Sequence, residues 1–267
     1  MSVFNGEDFL RESIESILNQ TFKDFEFIIV DDGSTDGTKR ILSEYREKDS
    51  RIEIIINEKN IGLTKSLNKA LKMTKGEYIA RHDADDISLS QRFEKQIEFL
   101  QNNPDVKILG TYAHIISQNK KLLKKEILPT SDLEIRKLLI KRNSFVHSSI
   151  MIKKEIFDRV GLYNEQFKTT QDYELWFRAL KISKGANLPL FLVEKRYLPE
   201  MVSLRKEKTQ LKNTLILQNQ AIKKGVYSRF CYIYSLRPYV SLKCPLFFKK
   251  FLRKHILKSK AIFKEVY

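Results

Sequence analysis

The sequence predicts an α/β protein, with a single open, mostly parallel sheet flanked by helices and followed by a basic helical C-terminal appendage. Three observations carry this. Apolar extended runs alternate with helix-periodic segments through the first hundred residues, the pattern of strands and helices joined by short loops. The run Phe25-Glu26-Phe27-Ile28-Ile29-Val30 is almost wholly apolar, as in a parallel strand covered on both faces. Positive charge is concentrated at the end. From Arg205 to Tyr267 sixteen Lys and Arg face two Glu, so this region carries +14 of the net +16.

In chain order, Asp8 to Gln20 sets Phe9, Ile14, Ile17 and Leu18 at helical spacing. The apolar strand then ends in Asp31-Asp32-Gly33-Ser34-Thr35-Asp36-Gly37, and Ile41, Leu42 and Tyr45 give the next helix its core face. Arg51–Ile56 reads as a strand, 57–62 as a turn, Leu63–Lys75 as a helix, Glu77–Arg81 as a strand and Ser90–Gln101 as a helix. Val106–Tyr112 follows as a strand, 117–121 as a hairpin or loop, and Asp132 as the cap of a helix through Ile140. Phe145–Ile152 reads as extended, Gln171–Leu180 as a helix, Leu188–Leu198 as a strand and Arg205–Lys224 as a helix.

With 42% hydrophobic and 31% charged residues, the 267-residue chain can build a core plus an appendage and is neither a disordered nor a repeat protein. Cys231 and Cys244 lack metal-ligand spacing, which predicts no disulfide framework and a reducing compartment. No transmembrane span and no secretory leader is expected.

Arg81-His82-Asp83-Ala84-Asp85-Asp86 follows a strand. Acids one residue apart at a strand exit can share a hard divalent cation. The same stretch also fits a solvated turn in which Asp86 caps the next helix. Ligands of open α/β sheets collect beyond the carboxyl ends of strands, and both Asp31/Asp32 and Asp83/Asp85 fall on that edge. Asp31-Asp32-Gly33-Ser34 is neither a dinucleotide fingerprint nor a P-loop, although a carboxylate there can bond a base imide or ribose hydroxyl. Equally, Asp31, Ser34 and Asp36 can simply cap the turn and helix.

His147 reads as an internal hydrogen-bonding residue, a neighbour of a substrate or metal, or a general base. Asp172, near a helix start, reads as a cap or a base, while Tyr173, Trp176, Phe177 and Leu180 form the apolar face and Glu174 lies off it. The tail from Phe230 to Leu257 mixes large apolar and basic side chains. That suits an interfacial helix on anionic lipid or a basic cap on the main domain, with nucleic acid the least supported partner.

Taken together, Phe4-Asn5-Gly6-Glu7, the run from Glu15 through Asp36, Asn60-Ile61-Gly62-Leu63 with Asn68, and Ala84-Asp85-Asp86 resemble the family 2 inverting glycosyltransferases of GT-A fold, especially the bacterial surface-polysaccharide branch. The resemblance covers about residues 1 to 200. It implies a catalytic domain over 1–204, with a nucleotide-binding half to about 112 and an acceptor-side half over 113–204, and a basic amphipathic region over 205–267. It further implies that Asn5, Asp31, Asp32, Asn60, Gly62, Arg81 and Asp83 bind the nucleotide-sugar and that Asp85 holds Mg²⁺ or Mn²⁺. Asp172 would be the catalytic base, with His147 and Trp176 on the acceptor side.

The implied donor is a UDP-, dTDP- or GDP-sugar, and the implied acceptor a glycan or lipid-linked hydroxyl. The expected location is the cytoplasm, peripheral on the cytoplasmic face of the bacterial inner membrane, with 205–267 on the anionic surface. The competing expectation is a non-catalytic membrane-associated scaffold that keeps the fold. Members of the family carry a full apolar strand before the aromatic-Asn element, so the start at Met1-Ser2-Val3-Phe4 implies a missing or truncated first strand and poor stability or weak activity.

Overall fold

A computed structural model describes residues 1–198 and 207–243. Two units divide between Leu204 and Arg205. The first is built on two sheets. A parallel sheet runs β1 (Ser2–Val3), β2 (Phe27–Asp31) and β3 (Ile52–Ile56), with Ser2 opposite Val30 and Phe27 opposite Ile52. In the second, β4 (Tyr78–Ala80), β8 (Met151–Lys153), β6 (Val106–Ile116), β9 (Lys184–Arg196) and β5 (Ile87–Ser88) lie side by side, and β7 (Leu122–Glu126) adds to β6. Of these only β6 and β9 run parallel; the other pairs are antiparallel.

The single open, mostly parallel sheet is therefore wrong. Apolar patterning reports which faces are buried, not which neighbour a strand takes or in which direction. Beyond residue 105 the chain leaves strand-helix alternation: β6 turns through 117–121 into β7, and so short a connection requires antiparallel strands. The strand expected to be missing is represented by the two residues of β1.

Helices α1 (Leu10–Leu18), α2 (Thr38–Lys48), α3 (Leu63–Met73) and α4 (Arg92–Asn102) pack on this framework, followed by α5 (Asp132–Leu139), α6 (Glu155–Val160) and α7 (Gln171–Ala179). Leu10, Ile14 and Ile17 of α1 bury against Ile29 and Leu42, and the same core continues through Phe93, Leu100, Leu109 and Met151. One apolar interior thus joins both sheets and fixes the exits of β2 and β4. On the opposite face of β2, Ile28 and Val30 pack on Ala70 of α3.

Three local expectations change. Phe145–Ile152 is not continuously extended, because a 3-10 turn spans His147–Ser149 and β8 begins at Met151. Ser149 stabilises that turn by donating its hydroxyl to the Val146 carbonyl at 2.9 Å. The cap of α5 is Ser131, which accepts from the Glu134 N–H; Asp132 instead pairs with Arg136 at 2.6 Å and accepts from the Gly185 N–H at 2.9 Å. Glu174 is buried rather than off the core face, because Arg178 accompanies it with a two-pronged ion pair.

In the second unit α8 (Glu207–Lys223) buries Leu217, Ala221 and Ile222. A 3-10 turn over Arg229–Tyr232 leads into α9 (Ile233–Lys243). Phe230 is 91% exposed and Ile233 68%, with Leu236, Tyr239 and Val240 also exposed. No helix among the described residues is long and apolar enough to cross a membrane. Cys244 and the tail segment Leu246–Leu257 lie outside the described residues.

Candidate functional site

The exit of β2 carries two buried aspartates with different surroundings. Asp32 accepts from Asn57 Nδ2 and the Ile61 N–H through Oδ1, and from the Gly62 N–H through Oδ2, each at 2.9 Å. Its charge is used to fold the 57–62 turn, which Gly62 completes at φ +94°. Asp31 Oδ1 accepts from the Ser34 N–H at 2.9 Å, while its Oδ2 is buried without a hydrogen-bond partner. Asn5, at φ +50°, a conformation Asn tolerates, accepts from the Thr35 N–H and donates its own N–H to Ser34 Oγ. Asn60 is exposed beside this loop. The two loops nearly touch, since a Cβ on Gly33 would lie 2.6 Å from the Lys59 carbonyl carbon.

The exit of β4 is held by buried polar side chains. His82 bonds Ser13 Oγ at 3.0 Å and Ser88 Oγ at 3.2 Å, tying the strand end to α1 and β5. Arg92, fully buried, donates to the Arg81 and Ile150 carbonyls. Carboxylate oxygens of Asp83, Asp85 and Asp86 lie within 4.8 Å of one another. Burial would raise Asp83, but Arg81, ion-paired to it, holds it well below the usual carboxylate range. Burial and the charge of Asp83 push Asp85 up to about 6, and burial with both neighbours pushes Asp86 up to about 8.

Asp86 does not cap a helix. It precedes β5 and accepts from the Arg196 N–H at 2.9 Å. Three carboxylates, two of which burial and mutual repulsion make reluctant to ionise, fit a hard divalent cation, which would offset that charge.

Thr170, at φ +64°, an uncommon conformation for a β-branched residue, turns the chain into α7 and makes Asp172 its second residue. Asn143 Nδ2 donates to Asp172 Oδ2 at 2.6 Å. His147 Nε2 lies 2.8 Å from the Tyr163 hydroxyl, and burial followed by the charge of Arg81 lowers this imidazole to about 3, so it is neutral. The charges of Asp172 and Asp83 both act on His147 and on Tyr163. Trp176 is completely buried behind His147 and against Phe145.

The structure thus gathers Arg81, Asp83, Asp85, Asp86, His147 and Asp172 into one electrostatic neighbourhood. Trp176 forms its wall rather than its surface.

Four participants had no sequence signal. Lys195 on β9 acts through its charge on Asp83, Asp85, Asp86 and His147. Beside it Arg196, 1% exposed, donates to the Asp85 carbonyl at 2.9 Å and to Glu12 at 2.6 Å. Asn143 and Tyr163 contact the predicted residues from loops that carry no motif. Only the pairing of β9 with β5 and β6 brings Lys195 and Arg196 to the acids, so no spacing in the chain could show it.

The family model described as Glycosyl transferase family 2 matches residues 1–161. An uncharacterized glycosyltransferase of Methanocaldococcus jannaschii, MJ1057, is 42% identical over 67% of this chain, which spans 63% of that protein's length. The putative glycosyltransferase EpsE of Bacillus subtilis is 31% identical over 97% of this chain and 94% of its own. The O-antigen biosynthesis glycosyltransferase WbnJ of Escherichia coli is 37% identical over 67% of this chain and 70% of its own.

Among solved structures, S. aureus TarS 1-349 in complex with UDP-GlcNAc aligns with TM-score 0.66 at 19% identity, covering 81% of this chain and 64% of that one. The mannosyltransferase PcManGT of Pyrobaculum calidifontis, in complex with GDP-Man and Mn²⁺, aligns with TM-score 0.63 at 16% identity, covering 90% and 68%. These two likenesses concern the fold.

Proposed function

Because this chain belongs to glycosyl transferase family 2, we propose that it transfers a sugar from a UDP-, dTDP- or GDP-sugar to a hydroxyl of a glycan or lipid-linked acceptor, with inversion, in surface-polysaccharide synthesis. The observation that carries this reading is the clustering of three carboxylates within 4.8 Å at the β4 exit, in the same electrostatic neighbourhood as Asp172. The relatedness to an O-antigen enzyme supports the pathway.

Asp85, with Asp83 and Asp86, would hold Mg²⁺ or Mn²⁺, which when bound supplies positive charge to offset a departing nucleoside diphosphate. Asp31, buried at the β2 exit with Oδ2 unpaired, underlies the base and ribose side of the donor. Arg81 keeps Asp83 ionised. Asp172, steadied by Asn143, takes the acceptor hydroxyl proton as that oxygen bonds to the anomeric carbon and the bond to the diphosphate oxygen breaks on the opposite face. Neutral His147 lines the acceptor side. Direct displacement needs no protein nucleophile.

The test is transfer from a panel of sugar nucleotides with Mn²⁺, with the product anomer read by NMR. Asp85→Asn is expected to lower turnover about a thousandfold, the several kcal/mol a Lewis acid supplies, and Asp172→Asn by about 10²–10⁴-fold. A folded chain that neither binds nor turns over any donor overturns the reading in favour of a scaffold.

The exposed apolar side chains of 230–240, flanked by Arg229, Arg237 and Lys243, support a peripheral seat on the anionic cytoplasmic face of the inner membrane. Vesicle sedimentation checks it. Binding is expected to anionic vesicles and to fall at least about tenfold in Ile233→Glu/Leu236→Glu, the cost of placing two carboxylates in an apolar contact.

A further inference from the structure

The hairpin that joins β6 to β7 is an open part of the first unit. Over residues 117–127 it sets four lysines and one glutamate around three large aliphatic side chains. Among the described strands β7 pairs only with β6, and both of its faces meet solvent. Leu122 is 48% exposed, Leu123 52% and Ile127 58%. Lysines along an edge strand are an ordinary guard against pairing with another chain. Aliphatic side chains left open between them are no part of that guard, and grouped apolar exposure marks an interaction surface. The apolar character continues onto the sheet. His114, opposite Lys125 in register, stacks on Phe191 of β9 with ring centroids 4.4 Å apart, and Leu190 beside that ring is exposed.

The hairpin is held in place. Ser117 closes its turn, accepting from the Lys120 N–H through its carbonyl at 3.0 Å and from the Lys121 N–H through its hydroxyl at 3.1 Å. Lys120 pairs with Glu12 of α1, and buried Arg196 donates to the Gln118 carbonyl at 2.7 Å. Arg196 also donates to the Asp85 carbonyl, so one side chain ties the hairpin to the acid cluster. Lys124 pairs with Glu126, which Arg142 also meets at 3.2 Å. Lys121 and Lys125 face no carboxylate among the described residues, and the hairpin keeps a positive balance.

The kind of partner follows from this pattern. A glycan stacks on a free aromatic face, but the Phe191 ring is already engaged by His114 and by Lys125 Nζ, 5.5 Å from its centroid. Contact surfaces between proteins are poor in lysine, and a second copy of this chain would set like charges together. An anionic lipid surface uses both halves of the pattern: aliphatic side chains enter the headgroup boundary, and long lysine stems carry their ammonium groups to lipid phosphates.

We propose that the β6–β7 hairpin is a lipid-docking surface of the first unit, taking an anionic phospholipid layer against Leu122, Leu123 and Ile127 with Lys121 and Lys125 on the headgroups. It is separate from the seat proposed for 230–240. A docked hairpin brings the acid cluster toward a lipid-borne acceptor. That consequence rests on the proposed reaction, whereas the docking does not.

Trp176 is the single tryptophan and is completely buried. Leu123→Trp in the full chain therefore adds one indole that reports on the hairpin, with the unsubstituted chain as the blank. Vesicles of phosphatidylcholine, with or without phosphatidylglycerol, carry brominated acyl chains that quench an inserted indole. With phosphatidylglycerol the added emission is expected to move to the blue and to fall by at least about half, as for a side chain at the headgroup–acyl boundary. With phosphatidylcholine alone it should stay unchanged. Adding Lys121→Glu/Lys125→Glu is expected to weaken the apparent affinity read by quenching at least about tenfold. Amide hydrogen exchange over 117–127 in the unsubstituted chain should slow only on the anionic vesicles, and it decides the matter if Leu123→Trp melts below the parent chain. An indole that stays unquenched, even while the chain sediments with the vesicles, overturns the proposal and leaves any docking to the second unit. Quenching that ignores the charge reversal overturns it too. So does a blue shift that appears without vesicles and grows with chain concentration, the mark of a protein contact.

Discussion

Two acidic strand exits, those of β2 and β4, use their charges in opposite ways. At the end of β2, Asp32 has both oxygens saturated by Asn57 and by the Ile61 and Gly62 N–H groups, so its carboxylate is part of the fold. At the end of β4, three carboxylates face one another, and burial with mutual repulsion pushes Asp85 and Asp86 up. A carboxylate whose donors come from its own chain holds a loop. A group of carboxylates short of donors is prepared for a cation. Asp31 stands between these cases, with one oxygen on Ser34 and the other free.

Substitution at the β2 exit breaks the comparison most directly. Asp32→Ala removes the acceptor for three donors, one buried and two partly buried, and is expected to cost about 3 kcal/mol of stability, read as a lower urea midpoint. Asp31→Asn keeps the Ser34 contact if its amide oxygen takes that place. It is expected to leave the midpoint within about 1 kcal/mol while weakening donor binding about tenfold, measured by calorimetry. Equal destabilisation by both variants would erase the distinction drawn between the two neighbours.

That distinction marks the limit of what the sequence shows. The four helices through residue 102 and β2, β3 and β4 follow from apolar period, whereas β1 and β5, two residues each, do not; Asp31, Asp32, Asp83 and Asp85 stood out because they share the carboxyl edge of the strands and match the family resemblance. Which of Asp31 and Asp32 is free was not visible. It depends on the approach of Lys59 to Gly33, a contact between loops 26 residues apart. Sheet direction after β6 was equally hidden, since burial patterns are the same for parallel and antiparallel neighbours buried on both faces. Lys195 and Arg196 sit in no motif, and only β9 pairing carries them to the acids. Trp176 was read as an acceptor-side residue from the resemblance, whereas its complete burial makes it the packing that seats His147.

The β4 exit is sharpened by pH. Asp85 and Asp86 bind protons more tightly in the folded chain than in the unfolded one, so ionising them costs stability as pH rises from about 4 through 8. A divalent cation binds only the ionised carboxylates and competes with those protons. The Tm increment produced by Mn²⁺ is therefore expected to be small at pH 5.5 and to grow by several degrees at pH 8. His82 and His147, whose pKa values are lowered, contribute with the opposite sign, since the unfolded imidazoles take up protons below about 6.5. The increment at each pH, rather than Tm itself, isolates the acids. An increment that is flat with pH, or that survives unchanged in Asp85→Asn, would remove the cation from this account.

The smallest effect concerns the positioning of Asp172. Asn143 makes one hydrogen bond to that carboxylate at 2.6 Å and bonds no other acid among the described residues. Asn143→Ala removes the tether but leaves Asp172, α7 and the cation ligands in place. The expected result is a fall in kcat of about three- to tenfold, on the order of one hydrogen bond to a charged group, with KM for the donor unchanged. An unchanged kcat, or a loss of kcat matched by a fall in the urea midpoint, would mean that Asn143 serves only the packing of the 141–145 segment, and that Asp172 is held by the helix alone.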